Sequence, residues 1–377
     1  MMCTTNTCLA SRGSRPLQRL IALSHRRTKI HKIANTTTCE ATVNPDITLQ
    51  SLRKGQQIGS GSFGDVFEGL VKSGGGEQRV VLKQYKQVRG RDIESFYFDE
   101  LNACRRLQNN EGVAQFLGVA GADVYLVWAY EGSVTLERVL ASGAGVLALA
   151  DVMETEEAAD ALGGFAASLL AALMAMHADG VVHRDVKPGN VLFAQSERGA
   201  VVKMIDLGGS ADLMDENLRL DEAILDPVYG APEQFLEKKG LFGGTTYEAT
   251  GEVPTYEFDS YSAGLVILQI AIPTLHNSKA MYAMRTQLNK YGGDLQAWRD
   301  SKEAQGNDFN FLTSLGDTPW DFIKQLTAPD PELRLSVYDS FAHPYLKKYV
   351  NSESGVGNKN KSSTSKKSKG IMGMFSR

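Results

Sequence analysis

The segment His183-Arg184-Asp185-Val186-Lys187-Pro188-Gly189-Asn190 gathers an acid, a lysine and an amide within six residues, and Asp206 follows Asn190 by sixteen. Those side-chain types suit phosphoryl transfer. Asp185 can accept or orient a hydroxyl proton, and Lys187 can offset charge on a transferring phosphoryl group. Asn190, together with Asp206 in Met204-Ile205-Asp206-Leu207-Gly208, can hold a divalent metal. Mg²⁺ favours few carboxylates plus phosphate oxygens and water, which this pair would leave room for.

Such groups need a phosphate chain brought to them. Ile58-Gly59-Ser60-Gly61-Ser62-Phe63-Gly64-Asp65-Val66 reads G-x-G-x-x-G-x-V. Glycines let backbone amides approach phosphate oxygens with no Cβ in the way, and they tolerate positive φ. A dinucleotide-binding fold also uses G-x-G-x-x-G, but requires a helix directly afterwards. Here Asp65 to Leu70 alternates as a strand and Ser73-Gly74-Gly75-Gly76 supplies a turn. The spacing therefore predicts a β-hairpin folded over a ligand.

Val80-Val81-Leu82-Lys83 predicts a further strand, ending in a lysine placed for the α/β-phosphates. Without an acid partner that lysine would be an ordinary edge residue. Asp92 to Gln108 predicts an amphipathic helix with Ile93, Phe96, Tyr97, Cys104 and Leu107 on one stripe. Glu100 lies on that stripe, seven residues after Ile93, and Glu94 does not. An acid on a buried face needs a partner, and Lys83 is the natural one. The alternative is a partly exposed acid at the stripe's edge.

Three further segments read as structural. Ala231-Pro232-Glu233 closes the stretch that begins at Asp206, and Asp259-Ser260-Tyr261-Ser262-Ala263-Gly264-Leu265 opens an apolar helix. Asp330-Pro331-Glu332-Leu333-Arg334 supplies an arginine expected to pair with a buried Glu233.

With these motifs in hand, the sequence from about Leu52 to about Tyr349 resembles the eukaryotic protein kinase superfamily. The resemblance implies an α+β, bilobal fold: a β-rich N-lobe over 46–131, a mostly helical C-lobe over 132–350, and ATP in the cleft with Mg²⁺, or Mn²⁺ in its place. It implies a hinge at Ala129-Tyr130-Glu131, a gatekeeper at Trp128, and an adenine sandwich of Ile58, Val66, Val81 and Leu192. Lys187, two residues after Asp185, is the serine/threonine form, so a protein serine or threonine is the expected acceptor. Within the superfamily the chain is similar to the chloroplast thylakoid kinases of the state-transition type. The shared features are Leu126-Val127-Trp128 with Glu131-Gly132, Ala211-Asp212-Leu213, Leu225-Asp226-Pro227, Pro232-Glu233-Gln234 and Asp259-Ser260-Tyr261-Ser262 running on to Leu268-Gln269. Two rivals are a pseudokinase scaffold and a small-molecule kinase of similar fold. The first usually loses a residue matching Lys83, Asp185 or Asp206. The second would not be expected to keep Ala231-Pro232-Glu233 with its arginine.

Composition fits an ordinary globular chain of 377 residues with two terminal extensions. No acid precedes Glu40, where five Arg and two Lys give +7, while 351–377 carries +5. With −4 overall, residues 40–350 hold −16, which argues against nucleic acid as a partner of that body. Residues 1–45, rich in Ser, Thr and Arg at their start, read as an organellar transit peptide and linker, the alternative being a disordered basic N-terminus. Chloroplast stroma or thylakoid surface is the expected address, with cytoplasm as the alternative. The Ser/Lys/Gly-rich tail 351–377 reads as disordered, and its Ile371-Met372-Gly373-Met374-Phe375 could touch a membrane peripherally. No uncharged apolar run reaches the roughly 18–20 residues of a bilayer span. A monomer is expected. Cys3, Cys8 and Cys39 lie in the N-terminal segment, which leaves Cys104 alone in the body and no disulfide framework.

The segment from Asp206 to Glu233 has unusual regulatory chemistry. Asp226 stands where serine/threonine kinases usually have a threonine, and the only hydroxyl side chains between the two acids are Ser210 and Tyr229. Asp215, Glu216, Asp221 and Glu222 could take the place of an activating phosphate near Arg184, since carboxylates also pair with arginine. About 25 residues separate Glu233 from Asp259, and the Gly/Thr-rich insertion there, Gly243-Gly244-Thr245-Thr246, is a candidate docking or regulatory loop. If the segment's own acids hold it, phosphatase treatment of the purified protein leaves its phosphorylating activity within about twofold, whereas a collapse of activity contradicts this.

Overall fold

Alternation along β3 (Gly76–Tyr85) sets the first layer of the fold. Val80 and Leu82 point into a core and are fully buried, so Val81 and Lys83, two apart, share the opposite face. The structure is a computed structural model that describes Ile47 and residues 50–61, 64–73, 75–86, 93–121, 125–196, 199–215, 218, 226–239 and 245–352. Residues 1–45, most of the tail, Ser62, Phe63, Glu216, Asp221, Glu222, Gly243 and Gly244 lie outside the described residues.

Five antiparallel strands, β1 (Leu52–Ser60), β2 (Gly64–Ser73), β3, β4 (Phe116–Ala120) and β5 (Tyr125–Ala129), form a sheet in the order β1-β2-β3-β5-β4. The expected hairpin is present: Ser73 pairs with Gly76, and Gly75 takes a φ of +89°, which glycine adopts without a steric cost. A small core of Ile47, Val71, Val80, Leu82, Ala120 and Val127 lies under this sheet. Helix α1 (Ile93–Arg106) follows β3 and buries Ile93, Phe96, Tyr97, Glu100 and Cys104 on its inner face.

The second part is mostly helical. After β6 (Val134–Thr135) come α2 (Leu136–Ala141), α3 (Val146–Val152) and α4 (Ala158–Ala178), then β7 (Val181–Val182), β8 (Val191–Ser196), β9 (Gly199–Met204) and β10 (Ala211–Asp212). β8 and β9 form a hairpin flanked by β6, and β7 pairs with β10. The chain continues through β11 (Phe235–Lys239), β12 (Thr245–Ala249), α5 (Glu257–Ala271), α6 (Ser278–Lys290), α7 (Leu295–Arg299), α8 (Asn310–Ser314), α9 (Asp317–Leu326), α10 (Val337–Ser340) and α11 (Pro344–Ser352). Every residue of α5 from Phe258 onward is buried, the pattern of a helix at the centre of a core.

By length and composition α4 could cross a membrane. Here it packs beside α3, α5, α11 and β9 as a core helix. Its small residues allow that closeness: a Cβ on Gly163 would lie 1.9 Å from the Tyr349 ring, whose hydroxyl donates to the Ala159 carbonyl at 3.0 Å. The stretch between Glu233 and Asp259 contains a β-hairpin, β11 pairing with β12 from Phe235–Ala249 to Lys239–Thr245. Phe235 and Tyr247 stack edge-on, and Asn289 on α6 donates to the Tyr247 hydroxyl at 3.1 Å.

Arg334 meets Glu233 through two parallel bonds of 2.7 and 2.9 Å. The arginine side chain is fully buried, but Glu233 keeps 23% of its exposure, so the acid is half-buried rather than buried as expected. Arg334 also donates to the carbonyls of Ala328, Glu257 and Pro329. Glu233→Ala leaves a buried cation short of its counter-charge. The expected loss is about 3 kcal/mol, at the low end for such pairs because the three carbonyls remain. Thermal unfolding would show it as a Tm lower by about 6–10 °C, and an unchanged Tm would contradict it.

Candidate active site

Lys83 reaches across the cleft. Its Nζ donates to Glu100 Oε2 at 2.7 Å and to Asp206 Oδ1 at 2.8 Å, joining β3, α1 and the loop after β9. The partner expected from the helical stripe is therefore the one found. Burial disfavours the Lys83 ammonium, but Asp206 and Glu100 outweigh it and raise its pKa. The two carboxylates respond oppositely to the same cation. The charge of Lys83 brings Asp206 down to about 2, whereas burial pushes Glu100 up despite Lys83. Depth accounts for the contrast: the Glu100 side chain is wholly enclosed, and that of Asp206 is 47% exposed at the cleft.

The loop 183–190 is hung from α5. Asp259 accepts from the backbone amides of His183 (2.8 Å) and Arg184 (2.9 Å) and from His177 Nε2 (2.8 Å). Burial raises the Asp259 carboxyl, but the hydrogen bonds from the His177 ring and the His183 amide outweigh it and hold it below the usual carboxylate range. These amide bonds hold Arg184 at a φ of +62°, a conformation costly for a residue with a Cβ. Arg184 is buried and its Nε donates to the Gly209 carbonyl at 2.7 Å. Burial draws its guanidinium down to about 10, against the raising pull of Asp259 and Asp99. Of the acids expected near Arg184, Glu216, Asp221 and Glu222 fall outside the described residues.

Asp185 sits in a knot of donors. Its Oδ2 accepts from Asn190 Nδ2 at 2.7 Å and pairs with Lys187 Nζ at 2.9 Å, and Asn190 Nδ2 also donates to the Asp185 carbonyl at 2.9 Å. Burial raises the Asp185 carboxyl, with Lys187 opposing. His183 accepts from the Asp185 amide at Nδ1 (3.3 Å) and donates from Nε2 to the Ile205 carbonyl (3.2 Å), which assigns the neutral Nε2–H tautomer. Lys187 also lies 3.9 Å from Asp226 Oδ2, so the acid in the usual threonine position faces the same lysine.

The β8–β9 hairpin brings Asn190 and Asp206 together. Val191 pairs with Met204, and the Ile205 amide donates to the Asn190 carbonyl at 3.0 Å. Both amide hydrogens of Asn190 are used on Asp185, which leaves its oxygen for a cation. One carboxylate and one amide oxygen suit Mg²⁺ held jointly with phosphate oxygens and water. Among the described residues no group of three or more His, Cys, Asp or Glu converges as a dedicated metal cage.

Strand register puts Val66, Val81, Lys83 and Trp128 on one face of the sheet, since Val66 pairs with Lys83 and Val81 with Trp128. Leu192 pairs with Thr135 and Lys203 on the neighbouring sheet. At the expected hinge, Ala129 donates to the Gln115 carbonyl (2.9 Å), Tyr130 donates to the Arg79 carbonyl (3.2 Å), and Glu131 is tied by Lys203 (2.6 Å). Trp128 stacks edge-on with Phe116 at 5.6 Å. In the glycine loop the Gly61 amide donates to the Gly64 carbonyl at 2.8 Å, and a Cβ on Gly64 would lie 2.4 Å from the Gln84 carbonyl oxygen. Gly59 pairs with Val66, Ile58 is exposed, and Ser60 Oγ accepts from Lys86 at 2.9 Å, while Ser62 and Phe63 lie outside the described residues.

Two contributors escaped the sequence reading. Asp259 reads in the sequence only as the start of a helix, and Tyr85 belongs to none of the motifs. Tyr85 lies two residues beyond Lys83 on a strand, so period-two alternation places both on one face and would have marked it.

Residues 52–346 match the protein kinase domain family. Over 78% of the chain the sequence is 29% identical to the Arabidopsis thaliana "Serine/threonine-protein kinase STN7, chloroplastic", covering 56% of that relative. Over 77% it is 26% identical to the Arabidopsis thaliana "Serine/threonine-protein kinase STN8, chloroplastic", covering 69% of it. The chain thus spans little more than half of the first relative's length. The crystal structure of a Stt7 homolog from Micromonas algae, soaked with ATP, superposes with a TM-score of 0.67 at 28% identity, over 80% of this chain and 94% of that one. The match over residues 52–346, on a fold with β-rich and helical parts flanking the Lys83–Asp206 cleft, establishes that the chain belongs to the protein kinase family.

Proposed function

We propose that this chain is an active serine/threonine protein kinase that transfers the γ-phosphoryl group of ATP to proteins of the chloroplast thylakoid. The observation that carries the reading is Lys83, already paired with both Glu100 and Asp206 at 2.7 and 2.8 Å. That arrangement places an ammonium for the α/β-phosphates. Asn190 and Asp206 would hold Mg²⁺, which when bound neutralises charge on the β- and γ-phosphate oxygens. Asp185, fixed by Asn190 and Lys187, orients the substrate hydroxyl and takes its proton, and Lys187 offers its charge to the transferring group. The Glu233–Arg334 pair supports a protein substrate, because it anchors the segment against which a peptide would lie. The basic, acid-free N-terminal stretch and the chloroplastic relatives support the organelle.

The decisive test incubates the chain with labelled ATP, Mg²⁺ and thylakoid proteins beside Asp185→Asn. Labelling on Ser or Thr that falls at least about 100-fold in the variant is expected. ATP binding with no labelling by either form would make the chain a nucleotide-binding scaffold instead. The raised pKa of Asp185 predicts the pH profile. The proton acceptor must be ionised, so kcat/KM falls as pH drops through that raised value, on an acid limb above the roughly 3.9 of a free aspartate. Lys187→Met removes the opposing positive charge and moves the limb to higher pH. An acid limb unmoved by this change would rule Asp185 out as the titrating group.

A further inference from the structure

Lys83 is the element of the site most exposed to competition. Bound phosphates would draw on the same ammonium that Glu100 and Asp206 share, so Glu100 must stay in place to keep Lys83 aligned. Glu100 is enclosed by protein, and its Oε1 has no hydrogen-bond partner among the described residues. All its anchoring passes through Oε2, which accepts from Lys83 and from one further donor, the Tyr85 hydroxyl. Burial and the neighbouring Glu100 push the Tyr85 phenol well above its ordinary pKa, so it remains protonated and a donor. The ring is held edge-on against Tyr97 at 5.5 Å, and its centroid lies 5.3 Å from Lys83 Nζ. Tyr85 therefore touches both members of the pair.

We propose that Tyr85 is a positioning residue for nucleotide binding: its hydroxyl fixes the Glu100 carboxylate, so that Lys83 keeps its place when phosphate oxygens draw on it. The inference rests on the nucleotide site proposed above, but not on turnover. A buried carboxylate that loses one of two donors retains a single bond and is free to swing with its helix. Tyr85→Phe keeps the ring and removes only the donor.

The test is a binding cycle on the full chain, measuring Mg-ATP affinity by calorimetry for wild type, Tyr85→Phe, Glu100→Gln and the double variant, with the Tm of each. Tyr85→Phe is expected to weaken Mg-ATP about fivefold to tenfold, less than the full worth of a hydrogen bond to a charged group, because binding reads only the part that keeps Lys83 aligned. It should leave the Tm within about 2 °C and, in the Glu100→Gln background, cost less than about twofold. Where turnover is measurable, KM for ATP rises by the same factor, with kcat and the KM for protein substrate within about twofold. Unchanged affinity in Tyr85→Phe overturns the proposal, as does a loss that persists in full without the Glu100 carboxylate. Tyr85→Met separates hydroxyl from ring: equal losses in Met and Phe variants support the hydroxyl, and a loss in Met alone assigns the effect to packing and overturns it. A wild type that binds ATP without phosphorylating would refute the proposed activity and leave this cycle readable.

Discussion

One ammonium shared by two carboxylates holds the cleft together. Lys83 comes from the sheet, Glu100 from α1 and Asp206 from the end of the β8–β9 hairpin. Breaking one partner of a buried pair costs about 3–5 kcal/mol, because the other charge is stranded without water. The geometry of three separate elements is therefore coupled through one side chain. If α1 moves outward, Glu100 leaves with it and Lys83 has only Asp206. If the loop after β9 shifts, the half-exposed Asp206 goes first. The two carboxylates differ in depth, so they are unequal anchors: Glu100 is the fixed end and Asp206 the end that can be shared with a cation.

The second constraint is the central helix. α5 is buried from Phe258 to its end, and it presents Asp259 to the strained loop 183–190. A positive φ at Arg184 is kept by two short amide bonds to one carboxylate. Strain of this kind lasts only where the surroundings over-determine it. Here the buried helix supplies what the loop lacks, and Asp185 and Asn190 inherit their positions from it.

Some of this was open to reading in the sequence and some was not, for physical reasons. Helical periodicity placed Glu100 on the buried stripe, and an enclosed acid needs a cation, which made Lys83 its natural partner. The glycine turn gave the β2–β3 hairpin for the same local reason. The β11–β12 hairpin was missed because Phe235-Leu236-Glu237-Lys238-Lys239 and Thr245-Thr246-Tyr247-Glu248-Ala249 lack a strong alternating pattern. Contacts such as Tyr247 with Asn289 on α6 are long-range in the chain. Asp259 was invisible as a support because its partners lie some seventy-five residues earlier and are mostly backbone amides, which carry no sequence signal. Glu233 was expected to be buried, yet its arginine takes the interior and the acid the rim.

The end of the segment before Glu233 shows how substitution at one position redistributes charge. Asp226 caps its own turn, accepting from the Val228 amide at 2.9 Å, and its carbonyl accepts from Gly230 at 2.8 Å. The other carboxylate oxygen faces Lys187 at 3.9 Å, farther than the lysine's closer partner Asp185 at 2.9 Å. A neutral hydroxyl in that place would bridge by hydrogen bonding alone, whereas a carboxylate adds a charge that raises the affinity of Lys187 for its proton. Gly230 is in turn held by Arg285 of α6, whose Nη2 donates to its carbonyl at 3.0 Å. The segment that would receive a peptide is thus anchored by charge at Lys187, by backbone at Gly230 and by the Glu233–Arg334 pair. Each anchor belongs to a different helix or loop, and of the three it is Lys187 that also pairs with Asp185, at 2.9 Å.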